Sequence, residues 1–290
     1  DPLKPFYNRA LLGQYAPGST FKMVTAVGGL EEDIIEPSTE IRDTGRYMYY
    51  APSYTPKCWI YRQGGGTHGS INVSQALYHS CNYFFYETGR LLGIERMNAY
   101  AKTLGLGSET GVELKESTGS LAGPEEREAA GRVWYPGDTL QAAIGQSDNL
   151  FTPLQMCMYI STLCNGGTRY QAHLYHQTVD YNTGEVLDAY TSNVLGKAQI
   201  SSEHLGLIKS AMSTIATAVF PQSTTTYTVG RKTGTAQVGA NASENALYAA
   251  FAPLDNPQIV AYCVIEHGST GGNAGIAIRS VLDSYFASNG

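Results

Sequence analysis

The sequence predicts an α+β fold, and three observations carry that prediction. Helical periodicity dominates the middle of the chain. The apolar period then changes to two near residue 227. Within that last part, Leu254-Asp-Asn-Pro257 joins two of the strands as a tight antiparallel hairpin. At 290 residues and 42% hydrophobic, the chain can bury a sizeable core as one large domain or two small ones.

Taken in order, Asp1 to Gln14 is a short entry punctuated by proline. Pro17 and Gly18 break it, and Ser19 opens a helix, Thr20 to Leu30, with apolar residues at Phe21, Met23, Val24, Ala26, Val27 and Leu30. Glu31 to Gly66 is rich in Tyr, Pro and Gly and predicts loops with short strands. Asn72–Leu77 and Tyr83–Leu92 predict two helices separated by Ser80-Cys81-Asn82, and Ile94–Leu104 a third, stopped by Gly105. Gly107 to Gly145 predicts mostly loop. Thr152-Pro153 starts the next helix as N-cap and first helical residue, running to Leu163. Tyr170 to Thr191 alternates around Asn182-Thr-Gly184, a small hairpin, and Ser201-Ser202-Glu203 starts a helix to about Val219. Strands are predicted at Tyr227–Val238, Ala246–Pro253 and Gln258–Glu266, and a closing amphipathic helix at Ile276–Phe286.

The net charge of −6 and the absence of a basic run exclude a nucleic-acid partner. No apolar stretch reaches the ~18 residues needed to span a bilayer, and no signal peptide is visible. The chain begins at Asp1-Pro2 without a methionine and is expected to be a fragment. Five cysteines, Cys58, Cys81, Cys157, Cys164 and Cys263, are an odd number and imply no complete disulfide framework. Tyrosine outnumbers phenylalanine 21 to 8, which suits exposed clefts that want apolar area with a polar tip.

Ser19 and Lys22 are three residues apart and share one helix face, the arrangement of a nucleophile with its candidate base. Free N–H groups at that helix start can also hold a developing anion. Alone, a Ser-x-x-Lys arises about once by chance in a chain of this length, and a capping serine with a solvated lysine explains it as well. Ser80-Cys81-Asn82 alone is explained by a helix cap, and Lys232-Thr233-Gly234-Thr235 alone by an exposed strand end.

Together and in this order, Ser-x-x-Lys, Ser-x-Asn and Lys-Thr-Gly resemble the signature of the penicillin-binding protein and serine β-lactamase superfamily. The segment Asn8 to Lys22, His68-Gly69, Ser80-Cys-Asn-Tyr-Phe-Phe85, Trp134-Tyr-Pro-Gly-Asp138, Ile144-Gly-Gln146, Thr152-Pro-Leu-Gln155, Asn165-Gly-Gly167, Lys232 to Gln237 and Phe251-Ala-Pro253 are similar to class B, monofunctional members, over about the whole chain. Tyr-Phe-Phe after Ser-Cys-Asn leans to the elongation type. The resemblance implies an antiparallel sheet flanked by helices with an inserted all-helical subdomain. Here that gives a helical part of about 31–165 and a sheet part of about 168–290 plus the Ser19 helix. Members usually carry two sheet strands ahead of the region matching Asp1, besides a pedestal domain and a membrane anchor, so the sheet here is expected to be reduced to its C-terminal strands or to have the others outside this chain.

The implied activity is peptidoglycan D,D-transpeptidation at the extracytoplasmic face of the bacterial membrane, with β-lactams as inhibitors. Its partners are stem peptides and a glycosyltransferase of the elongation machinery. Ser19 is the implied nucleophile, Lys22 its base, Ser80 a proton relay, Asn82 an orienting amide and Lys232 a second cation. The N–H groups of Ser19 and Thr235 form the implied oxyanion hole, Lys232, Thr233 and Thr235 hold the substrate carboxylate, and Gly234 allows close approach. A D,D-carboxypeptidase, a β-lactamase and a non-catalytic β-lactam sensor are the alternatives; Glu113 and Glu116 fall where a deacylating base would be sought, without the expected pattern around them. No cofactor is required for the chemistry. Some elongation-type members hold a structural zinc beside the site, which carried over residue by residue gives Asp43, Cys58, His68 and Cys81. From spacing alone these are a buried Cys58, a loop His68 and a helix-facing Cys81.

Overall fold

The computed structural model describes residues 4–214, 218–221, 223–238 and 243–289. Its centre is the helix Lys22–Glu31, preceded by a 3-10 turn, Gly18–Phe21. Every residue from Lys22 to Leu30 is buried. A helix that is apolar all round must be enclosed on all sides, and this one is. Gly28 and Gly29 let two neighbours approach closely: a Cβ on Gly28 would lie 2.7 Å from Leu92, and one on Gly29 2.7 Å from Thr88. Those contacts come from the helix Asn82–Leu92, which with Ile94–Thr103 packs on one side of the central helix.

Most predicted helices form, at Val73–Tyr78, Asn82–Leu92, Ile94–Thr103 and Pro153–Cys164. Thr152 caps the last one, its hydroxyl accepting from Gln155 N while Gln155 Oε1 accepts from Thr152 N. Three differences have local causes. The stretch 107–145 is mostly loop but also holds the helices Pro124–Ala129 and Pro136–Ala143, which the sequence reading did not foresee, each with proline at its first position, where the missing N–H costs nothing. Trp59–Gly64 is a helix inside the expected loop region, ended by Gly65 at φ +75°. The helix from Ser202 stops at Ala211 rather than near Val219, because the chain turns into the short strand Ser213–Thr214; residues 215–217 lie outside the described part.

The main sheet is antiparallel in the order Ile259–Ile265, Asn245–Ala252, Val229–Ala236, Ser213–Thr214. All eight residues of Asn245–Ala252 are buried. Ala249 and Phe251 face the large core around the central helix. Ala246, Tyr248, Ala250 and Ala252 face a second core closed by Ala274, Ile278 and Leu282. Those three are one helical stripe of Gly271–Asn289. The expected hairpin turns at 254–257. The small hairpin pairs Gln177–Val179 with Val186–Ala189, and Thr168–Tyr170 pairs with Val194–Lys197. We propose the division into a helical part (about 31–165) and a sheet part on this distribution of elements.

At Gly18 the 3-10 turn is held by backbone. Gly18 N donates to Gly145 O at 2.8 Å. Gly18 has φ +51°, and a Cβ there would sit 2.7 Å from Thr235 O. Gly145 has φ +73°, and its Cβ would sit 2.1 Å from Gly18 O. A side chain at either position meets both backbone strain and a backbone atom that cannot rotate away. Gly145→Ala is expected to cost about 2–4 kcal/mol in urea unfolding. Gly166→Ala, at φ +82° with nothing within 4 Å, should cost only about 1–2 kcal/mol. Equal losses would show that the close approach at Gly145 carries no energy.

Candidate active site

Ser19 lies on the 3-10 turn rather than at the start of the α-helix. With three residues per turn, positions i and i+3 eclipse there, so Ser19 and Lys22 face the same way. Lys22 is fully buried, and its Nζ donates to Ser80 O at 2.7 Å, Asn82 Oδ1 at 2.6 Å and Ser80 Oγ at 3.2 Å. Among the described residues no hydrogen bond joins Lys22 to Ser19. Ser80 holds φ +54°, a left-handed conformation rare for a residue with a side chain. It turns both its carbonyl and its hydroxyl toward the amine.

Lys232 approaches from the sheet. It is 4% exposed, and its Nζ donates to Ser80 Oγ at 2.8 Å and Thr233 O at 3.0 Å. Ser80 Oγ therefore sits between two amines. Among the described residues no carboxylate shares their hydrogen bonds. Burial lowers Lys22 to about 8. Burial and the charge of Lys22 hold Lys232 well below its ordinary value. Lys232 lies behind Ser80, so its charge acts through that hydroxyl. Lys232 itself is absent from the cleft lining.

The strand Val229–Ala236 supplies the opposite wall. Arg231 N donates to Met212 O at 2.8 Å on the outer edge of the sheet. Residues two and four further on point their N–H groups to the same edge. There the short strand has ended, since its pairing covers only Val229 and Gly230. The N–H and C=O of Thr235 thus face the cleft, and Gln146 Nε2 reaches Thr235 O at 3.3 Å. The cleft encloses about 670 Å³ and is lined by Ser19, Ser80, Asn82, Gln146, Thr233, Gly234 and Thr235, with Trp59 and Arg62 on the far side.

The profile of the penicillin binding protein transpeptidase domain matches residues 1–282. The chain belongs to this family. It is 30% identical over 298 residues to a peptidoglycan D,D-transpeptidase MrdA of Acinetobacter baumannii, covering 97% of this chain and 44% of that protein. Among solved structures it is similar to Pseudomonas aeruginosa PBP2 in complex with WCK 5153 (27% identity, TM-score 0.82, 98% of this chain and 64% of that one). It is also similar to a chain from a peptidoglycan synthase complex described for its coordination of polymerization and crosslinking (29% identity, TM-score 0.83, 99% and 48%). The family and fold expected from the motifs are both present, and the chain spans about half the length of the curated relative.

Beside this cleft, Asp43, Cys58, His68 and Cys81 place one donor atom each within 4.8 Å of one another. The pairing of Asp43 with Gly69 across two short strands brings His68 to the carboxylate. Asp43 Oδ1 accepts from Gly45 N, leaving Oδ2 for His68 Nδ1 at 2.7 Å and Cys81 Sγ at 3.5 Å. Cys58 Sγ lies 3.6 Å from His68 Nδ1 and 3.8 Å from Cys81 Sγ. A tetrahedral zinc ion places two sulfurs about 3.7 Å apart and sulfur and nitrogen about 3.5 Å apart. The separations Cys58–Cys81, Cys58–His68 and Cys81–Asp43 thus match, and the Asp43–His68 edge is shorter. The hydrogen bond from Cys81 pulls Cys58 down to about 6. Cys58 and Cys81 cap the helices Trp59–Gly64 and Asn82–Leu92, so the cluster anchors the 80–82 turn.

Sequence reading missed some of the lining. Trp59 and Arg62 come from the unforeseen helix. Ser269 and Thr270 enter the cleft at the start of Gly271–Asn289, which was placed five residues too late. Glu113 and Glu116 stand elsewhere: Glu113 accepts from Leu174 N and Tyr175 N, and Glu116 from Thr110 Oγ1 and Gly111 N.

Lys22 can accept a proton only as the free amine, and its free fraction rises as pH rises through about 8. The rate at which a β-lactam acylates the protein should therefore climb through that pH and level off above it, in stopped-flow acylation followed by mass spectrometry. A rate that is flat between about pH 6 and 9.5 would remove Lys22 as the base.

Proposed function

We propose that this chain is the catalytic part of an elongation-type peptidoglycan D,D-transpeptidase. The observation that carries the reading is Ser80 Oγ held between Lys22 and Lys232 in the same cleft as Ser19 and the free edge at Thr235. Ser19 Oγ attacks the carbonyl of the terminal D-Ala-D-Ala bond, and its proton passes to Lys22. The N–H groups of Ser19 and Thr235 receive the developing oxyanion, where one donor is typically worth about 10²–10³ in rate. Ser80 hands the proton to the leaving amine, the C–N bond breaks and D-Ala departs. The amine of a second stem peptide then attacks the ester, its proton returning through Ser80 to Lys22, which passes it to Ser19 Oγ as the ester C–O bond breaks and Ser19 is released. Lys232 keeps a positive field over the relay, Asn82 orients Lys22, and Thr233 and Thr235 receive the substrate carboxylate. A β-lactam acylates Ser19 by the same first step.

Water as acceptor would give a carboxypeptidase or β-lactamase. Glu113 and Glu116 are bound to loop backbone and are absent from the cleft lining, which favours an ester that waits for an amine. A glycosyltransferase partner and an extracytoplasmic site of action follow from the same reading; the relative in a synthase complex supports the partner. No helix among the described residues is long and apolar enough to cross a membrane.

We also propose that Asp43, Cys58, His68 and Cys81 hold a structural zinc ion. With four protein ligands the site is closed to substrate. Its chemistry is cross-linking the Ile41–Gly69 segment to the Ser80 turn, with no part in acyl transfer.

Labelling with a fluorescent penicillin tests the nucleophile: wild type should label at one site per chain and Ser19→Ala should not. Equal labelling would overturn the assignment. Donor stem peptide with an acceptor amine should give cross-linked product, whereas acylation without any product is the sensor's behaviour and many turnovers of β-lactam a hydrolase's. For the metal, elemental analysis of protein purified without chelator should find about one zinc per chain, and Cys58→Ser with Cys81→Ser should lose it; less than about 0.2 per chain would exclude the site.

A further inference from the structure

Next to the catalytic cleft is a second concavity of about 700 Å³, within the range of small-molecule sites. Its walls are the loop Tyr49–Tyr54 and the start of the helix Pro136–Ala143. Neither wall takes part in the chemistry above. Tyr49 and Tyr135 are 60% and 63% exposed, an unusual state for two large rings flanking one hollow.

The rings of Tyr49, Tyr50 and Tyr54 are held in place rather than free. The Arg90 guanidinium stacks on Tyr49 with Cζ 3.9 Å from the ring centre, and Arg90 is itself fixed by Glu87 at 2.7 Å and by Tyr47 OH at 3.0 Å. Tyr50 meets Tyr49 edge to face at 5.0 Å. The Tyr54 ring lies where a Cβ on Gly137 would be 2.7 Å away, so that glycine opens the wall to it. Rings fixed before binding lose little entropy on contact.

The charge pattern narrows the ligand. Arg90 is spent on Glu87, and Arg127 on Asp138 and Asp148. Asp138 also accepts from Tyr135 N at 2.8 Å. No lining charge is left to select an anion or a cation. What remains is aromatic faces edged by phenol hydroxyls. A flat apolar face with a hydrogen-bonding rim is the complement of a neutral sugar ring, which offers C–H groups on its face and hydroxyl or amide groups around it.

The position narrows it further. Tyr54 OH accepts from Gln141 Nε2, and Gln141 lines the catalytic cleft. Gly137 and Gln141 are four residues apart on one helix, about 6 Å. A stem peptide of four residues reaches about 14 Å when extended, enough to join a sugar in this hollow to a carbonyl at Ser19. We propose that the Tyr49–Tyr135 hollow is a saccharide subsite that takes an amino-sugar unit of the glycan from which the stem peptide hangs. This rests on the transpeptidase reading and adds a recognition element to it.

The test compares three probes with the whole chain: a stem pentapeptide, the same pentapeptide on an N-acetylhexosamine disaccharide, and the peptide-free disaccharide. The disaccharide-linked stem should acylate Ser19 with a kcat/KM about tenfold above the bare stem. Tyr49→Ala and Tyr135→Ala should abolish that advantage and leave penicillin acylation within about twofold of wild type. Saturation-transfer NMR should show the peptide-free disaccharide receiving magnetisation from the protein, and losing it in both variants. Equal acylation by the linked and bare stems, with penicillin still labelling Ser19, overturns the subsite and leaves the transpeptidase reading intact. Loss of a bare acceptor peptide's binding in the two variants, with the disaccharide unaffected, overturns it in favour of a peptide groove. If penicillin fails to label Ser19, the transpeptidase reading falls, and disaccharide saturation transfer still decides the hollow.

Discussion

The structure is built around a buried amine that no carboxylate among the described residues holds. Lys22 is the first residue of a helix buried from Lys22 to Leu30, and its three hydrogen bonds all go to the 80–82 turn. A charge in such a place costs several kcal/mol unless its donors are met. That requirement explains the left-handed Ser80, which offers two acceptors from one residue, and the use of Asn82 as first residue of its helix. It also explains why a second amine can be brought from the sheet onto the same hydroxyl. Mutual repulsion and burial both favour the neutral form of one of the two, which is what a base needs near neutral pH.

The 80–82 turn thus works on two sides. Ser80 and Asn82 face the cleft while Cys81, between them, faces Asp43 and Cys58. Successive residues in an extended turn point in opposite directions, so one short stretch serves a polar site and a buried cluster without conflict. Its fixed position is shared among a helix cap, the amine and the cluster, and this over-determination lets a strained residue persist there.

Much of this was legible in the chain itself. The change of period near residue 227 and the turn at 254–257 gave the sheet, because burial on both faces of Asn245–Ala252 leaves few alternatives. Thr152 to Gln155 showed a reciprocal cap that depends on neighbours in sequence only. The helices 59–64, 124–129 and 136–143 were missed because each is short, and what stabilises it comes from outside: the cluster at Cys58, and the ion pairs of Arg127 with Asp138 and Asp148. The motifs named Lys22 as partner of Ser19, yet the bonds run to Ser80 and Asn82. Spacing along a helix gives which residues share a face, not which acceptor, some 60 residues away, the amine will choose. The cleft-facing N–H of Thr235 was implied by the family resemblance alone, since its physical cause is where a two-residue neighbour strand stops.

The seam at Gly18, Gly145 and Thr235 has a mechanical meaning. Where side chains meet, a joint can yield by changing rotamers. Here backbone rests on backbone, with one N–H to carbonyl bond and no side chain in between. Such a contact is stiff along its length and has no intermediate settings. The floor on which the nucleophile stands therefore behaves as a fixed bearing, and any adjustment to a bulky acyl group has to be made by the walls, among them the short helix that starts at Trp59.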